Sequence, residues 1–253
     1  MFDANTHLHF DALWDKRDAV LAEARDAGIT GVLVSATELS RQSLERLRYF
    51  DAQGAAIAVG WHPQSPAPDD AVDQLEAVLI AHPHWCVGEI GVDTRYSSDT
   101  ALFEAQLTTA ARLGRPCVVH AVGKGALSRA FDICRGTKGA RGFIHAFSGS
   151  PEQARAFIQC GWKLSIGGPL LHPNRPRLES WVRAIPLGGL LVESDSPDLP
   201  PRSWEGANRP LSVVQVLRRI AALRGQSLAE VAAATTRNAE ALGLRSSIVM
   251  GRV

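Results

Sequence analysis

Short apolar runs alternate with amphipathic stretches along most of the chain. Many of the runs are rich in Val and Ile, and this length and composition favour buried β-strands. The eight runs lie near Phe2 and at Gly31–Ser35, Ala55–Gly60, Trp85–Glu89, Pro116–His120, Gly142–His145, Lys163–Ile166 and Leu190–Glu193. We therefore predict a strand at each of these places.

The stretches between the runs have the spacing of apolar side chains that is typical of helices. They are Trp14–Ala27, Glu38–Ala52, Ala71–Ala81, Thr100–Leu113, Gly125–Cys134, Pro151–Cys160 and Arg177–Ile185. Two further helices are predicted at Leu211–Arg224 and Leu228–Leu242, and Ser227 with Glu230 has the pattern of a capping box that opens the second. Strand and helix alternate eight times, which predicts a parallel sheet closed into a TIM-type (β/α)8-like barrel with extra C-terminal helices.

Length and composition fit a single domain that spans residues 1–253. A chain of 253 residues, 45% of them apolar, is long enough to bury one large core. The net charge of +1 gives no argument for nucleic-acid binding by the molecule as a whole, although it is compatible with a local cluster of basic residues at the rim of a site. The proline-rich stretch Asp195–Pro210 is too long for a bare turn, so we interpret it as a functional loop.

The cysteines show no metal-binding or redox motif. Cys86, Cys117, Cys134 and Cys160 lack CxxC spacing and lie in or beside apolar segments, which favours buried, reduced thiols over a disulfide framework. The sequence shows no leader-like segment and no apolar stretch of membrane-spanning length. We therefore expect a soluble cytoplasmic protein, and since no heptad run is present we favour a monomer.

Histidines and carboxylates close several of the predicted strands, at the end where parallel barrels collect their active sites. His7 and His9 are two residues apart, so in a strand both imidazoles point to the same face. Taken alone, this pair also fits two polar residues at a junction between a strand and a loop. Further candidates end later runs: Glu89, His120, His145 and Asp195.

Together these side chains favour a metal centre. A buried imidazole needs a partner, and a buried carboxylate without a cation carries a large desolvation cost. Divalent cations satisfy both kinds of group. Four histidines and two carboxylates exceed what one tetrahedral ion needs and suit two ions bridged by a carboxylate, an arrangement that activates water for hydrolysis.

Six motifs, taken in their order along the chain, resemble the TatD family of metal-dependent hydrolases. They are Thr6-His7-Leu-His9, Gly60-Trp-His62-Pro63, Val87-Gly-Glu89-Ile-Gly-Val-Asp93, Pro116-Cys-Val-Val-His120, Ile144-His145-Ala-Phe-Ser-Gly149 and Leu191-Val-Glu193-Ser-Asp195-Ser-Pro197. Asn208 and Thr236-Arg-Asn238-Ala239 resemble C-terminal markers of that family. The resemblance covers nearly the whole chain, and no single motif would be specific without the others.

The resemblance implies a barrel of the amidohydrolase kind that holds two divalent ions. It implies His7, His9, Glu89 and Asp195 around one ion, and Glu89, His120 and His145 around the other, with Glu89 as the bridge. Asp195 and Glu89 are the expected catalytic residues, and Asp195 orients the attacking water or accepts its proton. Imidazole and carboxylate ligands accept zinc, magnesium, manganese or iron, so the identity of the ions stays open.

Substrate contacts are expected from loops around the site. His62 is predicted to contact the substrate, the alternative being a packing histidine fixed by Pro63. His172 and Arg175 lie in a proline-stiffened loop that fits phosphate binding or a solvated basic surface. Trp204, in the last long loop, is able to stack on a base.

Glu193 lies two residues before Asp195 and is left out of the predicted ligands. It fits a carboxylate that supports the ligands from behind, or structural pairing with an arginine.

Four positions depart from the family pattern. Where the family often has an arginine shortly after the fifth-strand histidine, this chain has Lys124, which is predicted to contact substrate as a point charge without arginine's bidentate fork. Asn5 replaces the usual aspartate before Thr-His, Ser194 replaces a threonine, and Arg209 replaces a glutamate. These changes leave the predicted metal ligands intact and bear on the substrate.

Three hypotheses follow for the function. The first is a metal-dependent phosphodiesterase that acts on DNA ends, a deoxyribonuclease of the 3′–5′ exonuclease type. The alternative is a hydrolase of a carboxylic ester or amide, such as a D-aminoacyl-tRNA deacylase-like activity. A barrel kept only for binding is disfavoured, because six costly polar groups would then converge without a chemical role.

Overall fold

A computed structural model describes residues 1–244 and residue 248. Its sheet has eight parallel strands in the order β1 to β8, each paired with the next along the chain. They are β1 Phe2–Thr6, β2 Gly31–Ser35, β3 Ala56–Val59, β4 Cys86–Asp93, β5 Cys117–Val122, β6 Gly142–Ile144, β7 Lys163–Ile166 and β8 Leu190–Val192. The predicted barrel and all eight predicted strands are confirmed. The predicted domain also includes residues 245–247 and 249–253, which lie outside the described residues.

Helices follow the strands around the outside of the sheet. They are α1 Asp11–Trp14, α2 Arg17–Asp26, α3 Arg41–Ala52, α4 Ala71–Ala81, α5 Ala101–Arg112, α6 Ala126–Gly136, α7 Pro151–Gln159, α8 Pro176–Ala184, α9 Ser212–Arg224 and α10 Leu228–Ala241. The capping box predicted at Ser227 and Glu230 is confirmed, with both reciprocal hydrogen bonds present. None of the helices in the described part of the chain has the length and apolar character needed to cross a membrane.

Helix starts differ from the apolar pattern where a cap or a turn decides them. The second predicted helix begins at Arg41 rather than Glu38, because the Ser40 hydroxyl accepts a hydrogen bond from the Ser43 backbone at 3.2 Å and fixes the start. The first predicted helix, Trp14–Ala27, begins at Arg17 instead, because Trp14 ends the preceding short helix α1 and residues 15–16 form a turn. Apolar periodicity continues across such breaks, so it does not locate them.

The core has two layers. A large apolar cluster lies between the sheet and the helices, and a smaller one includes Phe2, Leu33, Val118 and Phe143 from the strands. Leu33 belongs to the smaller cluster whereas its neighbours along β2 belong to the larger one, because alternate side chains point to opposite faces of a strand. The burial predicted for the cysteines is confirmed for Cys86, Cys117 and Cys134 and wrong for Cys160, which is exposed where α7 ends.

The first and last strands are joined by polar groups. The Asp195 backbone donates to the Asn5 carbonyl at 2.9 Å, and the His7 backbone donates to the Ser196 carbonyl at 2.6 Å. The Asp3 carboxylate, fully buried, accepts hydrogen bonds from the backbone and hydroxyl of Ser194 at 2.8 and 2.6 Å. These contacts place the residues that follow β1 and β8 beside one another.

Strand β4 extends four residues beyond its predicted end at Glu89, to Asp93. It stays paired with β5 through the Gly91–His120 and Asp93–Val122 positions. Gly91 has a φ of 148°, and a Cβ there would lie 1.9 Å from the His120 carbonyl oxygen. The glycine therefore allows β4 to approach β5 closely, which brings both Glu89 and Asp93 beside His120.

Candidate active site

A cavity of about 520 Å³ opens where the strands end. Its lining includes five of the six predicted metal ligands and one of the predicted substrate residues: His7, Glu89, His120, His145, Asp195 and, for the substrate, His62. All of these side chains belong to residues that are less than a tenth exposed. The folded chain therefore brings together polar groups that are far apart in sequence.

The first group of candidate ligands consists of His7, Glu89 and Asp195. The Nε2 atom of His7 lies 3.0 Å from Glu89 Oε1 and 3.5 Å from Asp195 Oδ1. The Nδ1 atom of the same ring lies 2.8 Å from the Ser35 carbonyl oxygen, which can only accept a hydrogen bond. Nδ1 therefore carries the proton, and in the neutral ring the Nε2 lone pair points at two carboxylates.

The second group consists of His62, Glu89 and His120. Glu89 Oε2 lies 3.6 Å from His62 Nε2 and 3.8 Å from His120 Nδ1. The two oxygens of Glu89 thus face different groups, Oε1 toward His7 and Oε2 toward His62 and His120. This is the arrangement that a bridging carboxylate requires.

His145 contacts the same carboxylate. Its Nε2 atom lies 3.4 Å from Glu89 Oε2 and 3.1 Å from His120 Nδ1. Burial alone lowers the pKa of His145, but the charges of Glu89 and Asp195 outweigh this effect and raise the pKa to about 10. His145 and His62 both lie within 4 Å of the shared oxygen.

Glu193 supports His145 from behind. It is fully buried, its Oε1 atom accepts a hydrogen bond from the Ala146 backbone at 2.6 Å, and the same oxygen lies 3.6 Å from His145 Nδ1. Burial raises the pKa of Glu193, and the neighbouring His145 opposes this rise. Among the described residues no arginine pairs with Glu193, so the structure favours the supporting role over the arginine pairing.

Asn5 connects the two carboxylates of the first group. Its side-chain amide donates to Glu89 Oε1 at 2.6 Å and to Asp195 Oδ1 at 3.0 Å. An aspartate at this position would add a third buried negative charge instead of two donors. The replacement noted in the sequence therefore supplies neutral hydrogen bonds that hold Glu89 and Asp195 together.

Asp3 lies one layer below the site, and burial raises its pKa to about 8, with the hydrogen bonds from Ser194 acting in the opposite direction. In the unfolded chain an aspartate has a pKa of about 3.9. Between these values the folded state holds a proton that the unfolded state has lost, so this group makes folding less favourable as the pH rises.

We expect Asp3→Asn to flatten the pH dependence of stability between about pH 5 and 8. Chemical denaturation of the metal-free protein at both pH values measures the effect, with the exposed Asp132→Asn as control. The wild type should lose more unfolding free energy across this range than the Asp3 variant. Equal losses in the two proteins would contradict the assignment.

Sequence reasoning assigned no role to a third set of contacts, centred on Asp93. The fully buried Asp93 carboxylate accepts two hydrogen bonds from the Arg95 guanidinium, at 2.9 and 2.6 Å, and one from Gln64 at 2.9 Å. Its Oδ2 atom also lies 3.2 Å from His120 Nε2. A carboxylate on the far nitrogen of a ligand histidine fixes the orientation of the ring. Asp93 was present in the quoted motif, but only the length of β4 shows that it reaches His120.

His9 lies at the edge of this arrangement. Its ring centre is 6.2 Å from that of His7, and it lines a neighbouring cavity of about 210 Å³ together with Arg46. Burial lowers the pKa of His9 to about 3, and its Nδ1 atom is buried without a hydrogen-bond partner. The ligand role of His9 stays a prediction.

Four of the residues for which substrate contacts are predicted lie away from the lining of the cavity. His172 donates from Nε2 to the Pro200 carbonyl at 2.9 Å, and this bond holds two loops together. Arg175 is exposed immediately before α8, and Lys124 is exposed after β5. Trp204 donates to the Ala207 carbonyl at 3.0 Å within the last long loop. The substrate roles of these residues stay predictions, and the cavity gives them no support.

The side chains fit divalent cations. His7 Nε2 is directed at two carboxylate oxygens while Nδ1 is already used by Ser35, and a cation between them would satisfy all three groups. Imidazole nitrogen and carboxylate oxygen are the ligands that zinc and manganese accept. The sharing of Glu89 between the two groups fits a pair of ions.

The sequence matches the family model described as TatD related DNase over residues 2–243. The chain belongs to the TatD family. An Escherichia coli strain K12 protein described as an uncharacterized metal-dependent hydrolase, YjjV, is 30% identical over 92% of this chain and 95% of its own length. A 3′-5′ ssDNA/RNA exonuclease TatD from Shigella flexneri is 30% identical over 96% of this chain and 98% of its own length.

Solved structures of the TatD family share the fold. The crystal structure of YjjV from Escherichia coli has a TM-score of 0.85 and 28% identity, and the match covers 96% of this chain and 97% of YjjV. A TatD family hydrolase from Entamoeba histolytica has a TM-score of 0.76 at 17% identity, with coverage of 96% and 97%, and shows the fold alone.

Proposed function

We propose that this TatD family member is a metal-dependent phosphodiesterase that removes nucleotides from the 3′ ends of DNA. The observation that carries the proposal is the sharing of Glu89 between two groups of buried candidate ligands, with Oε1 and Oε2 facing different histidines. Phosphodiester hydrolysis is a reaction that two-metal sites perform. The exonuclease name of relatives that are about 30% identical supports this substrate.

We assign the ligands as the sequence predicts. His7, His9, Glu89 and Asp195 would hold one ion, and Glu89, His120 and His145 the other, with His62 on the side of the substrate. Bound divalent ions lower the pKa of water and stabilise negative charge on a phosphoryl oxygen. The proposed ions are zinc, magnesium or manganese.

Asp195 is the proposed acceptor for the proton of the attacking water. Within the described chain its side-chain contacts, to Asn5, His7 and His145, all involve Oδ1. Oδ2 is therefore left for the water. Asn5 fixes the carboxylate by donating to Oδ1, so the proton acceptor keeps one orientation during the reaction.

The supporting carboxylates position the imidazoles on the other side of the cavity. Asp93 faces His120 Nε2 at 3.2 Å, and Glu193 faces His145 Nδ1 at 3.6 Å. In each ring the opposite nitrogen faces Glu89. The rings are thus oriented by residues that need not contact the substrate.

We also propose a cytoplasmic protein that acts as a monomer. The cysteines support a reducing compartment, because Cys86, Cys117, Cys134 and Cys160 are all free thiols.

The test is hydrolysis of three substrates by protein loaded in turn with zinc, magnesium or manganese. They are single-stranded DNA labelled at its 5′ end, bis(4-nitrophenyl) phosphate, and 4-nitrophenyl acetate as a carboxylic ester. We expect stepwise shortening of the DNA from its 3′ end and no turnover after chelation. Turnover of the acetate ester without cleavage of either phosphodiester would replace the proposal with the ester hydrolase alternative.

A further inference from the structure

We propose that Arg95 and Tyr96 form a subsite at the rim of the catalytic cavity that binds the terminal part of a single-stranded nucleic acid. In this subsite the Arg95 guanidinium binds the backbone phosphate adjacent to the scissile bond, and the Tyr96 ring stacks on a base. The inference rests on the proposed phosphodiesterase function and names the substrate contact that the sequence assigned to Lys124.

Arg95 supplies the cationic side chain of the cavity. Among the described residues that line it, the remaining basic groups are histidines, and they face Glu89. The Arg95 side chain is 55% exposed, although its partner Asp93 is fully buried. Its charged end is therefore anchored to the floor of the site and open to solvent.

The anchor leaves donors free. The pair with Asp93 uses Nε and Nη2 of the guanidinium, at 2.9 and 2.6 Å from the carboxylate oxygens. A guanidinium has five N–H donors in a planar fork, so the remaining ones are available to a phosphate. The Asp93 carboxylate also accepts a hydrogen bond from Gln64 and lies beside His120, so Arg95 is not the only group that balances its negative charge.

Lys124, in the loop after β5, is exposed and lies outside the lining of the cavity, whereas Arg95 is part of this lining. The Thr94 backbone donates to the Val122 carbonyl at 3.0 Å, and the Thr94 hydroxyl donates to the Lys124 carbonyl at 3.2 Å. Gly123, with a φ of 100°, allows this contact, because a Cβ there would lie 2.2 Å from the Thr94 hydroxyl oxygen. Arg95 follows Thr94 directly and enters the cavity.

Tyr96 adds an exposed aromatic surface next to this charge. Its residue is 64% exposed, and the Arg95 guanidinium carbon lies 5.8 Å from the centre of its ring. Stacking of a base on an aromatic ring is a frequent way to bind single strands. Stacking requires an unpaired base, so the subsite favours a single-stranded end over a duplex.

The experiment compares Arg95→Ala with Arg135→Ala in the metal-loaded full chain. Arg135 is a matched control, since its side chain is 62% exposed, contacts Asp132 at 3.4 Å, lies beside Phe131 and is not part of the lining of the cavity. The substrates are a single-stranded deoxyoligonucleotide and bis(4-nitrophenyl) phosphate, which has no adjacent phosphate. We expect Arg95→Ala to raise KM for the oligonucleotide about tenfold or more beyond any change in KM for the small diester, since the change on the small diester reports the lost contact with Asp93.

The salt dependence of KM provides a second readout, which would not change if Arg95 had only a structural role. Loss of one phosphate contact should reduce the slope of log KM against log salt concentration by about 0.7 for a single strand. Tyr96→Ala should raise KM for the oligonucleotide about fivefold or more, whereas Tyr96→Phe keeps the ring and should match the wild type. Arg95→Gln serves as a second variant if the alanine variant is poorly folded.

Three results would overturn the subsite. They are equal KM values for Arg95→Ala and Arg135→Ala, an equal loss on both substrates, and an effect confined to Lys124→Ala. An equal loss on both substrates would mean that Arg95 acts through Asp93 on His120. If the wild type hydrolyses only carboxylic esters, the phosphodiesterase proposal fails and the subsite fails with it. If the wild type cleaves the oligonucleotide and Arg95→Ala cleaves it equally well, the subsite alone fails.

Discussion

Replacing Asp195 with asparagine is expected to reduce hydrolysis by about two to four orders of magnitude, the usual range for loss of a positioned proton acceptor. The side chain keeps its shape, and its oxygen still accepts the hydrogen bond that Asn5 donates at 3.0 Å. The variant loses the negative charge and the basicity of Oδ2. Turnover of labelled single-stranded DNA, together with thermal unfolding monitored by circular dichroism, measures both effects.

Asp198→Asn is the matched control for this experiment. Asp198 lies in the same loop and lines the same cavity, and its backbone donates to the Asp195 carbonyl at 2.8 Å. We expect its activity to stay within a few-fold of the wild type. Full activity of the Asp195 variant would refute the proposed role, and equal losses in both variants would indicate a general effect of charge in the cavity.

Glu89→Gln is expected to remove activity and to lower metal content at both proposed positions. Glu89 faces His7 through Oε1 and His62, His120 and His145 through Oε2, so one substitution removes the negative charge that both ligand groups share. Metal analysis of the purified variant gives the number of ions retained, and nuclease assays give the activity.

Glu193→Gln separates a bridging carboxylate from a supporting one. Both glutamates are buried and both lie near His145, but Glu193 is outside the two ligand groups. Loss of a supporting contact typically costs about 10- to 100-fold in metal affinity or activity. We therefore expect the Glu193 variant to retain bound metal at saturating concentration. Retention of both ions by Glu89→Gln would contradict the bridge.

The sequence was sufficient to predict the strands and most of the cavity, for a physical reason. In a parallel barrel the apolar run marks the buried part of each strand, and the first polar residue after it marks the open end. His7 and His145 directly follow the last residue of β1 and β6, and Asp195 lies shortly after the end of β8. Their meeting in one cavity follows from the barrel alone, since all strand ends lie on the same side.

The remaining contacts depend on distances that no apolar pattern encodes. The extension of β4 to Asp93 relies on Gly91, and the exclusion of Lys124 relies on the contact between Gly123 and Thr94. The first is a close approach of two backbones and the second of a backbone to a side-chain hydroxyl, and both are visible only when the two segments are in place. For this reason the sequence assigned the rim cation to Lys124, whereas the cavity contains Arg95.

The polar contacts between β1 and the residues that follow β8 make the site depend on both the first and the last strand of the barrel. Asn5 and Asp195, separated by 190 positions, touch through a side-chain hydrogen bond, and Asp3 holds Ser194 in the same set of contacts. During synthesis a chain whose β8 has not yet left the ribosome therefore carries His62, Glu89, His120 and His145 without Asp195, the proposed proton acceptor. Hydrolytic activity would then begin only after the last strand has docked against the first, and an incomplete or cleaved chain would be unable to degrade nucleic acid.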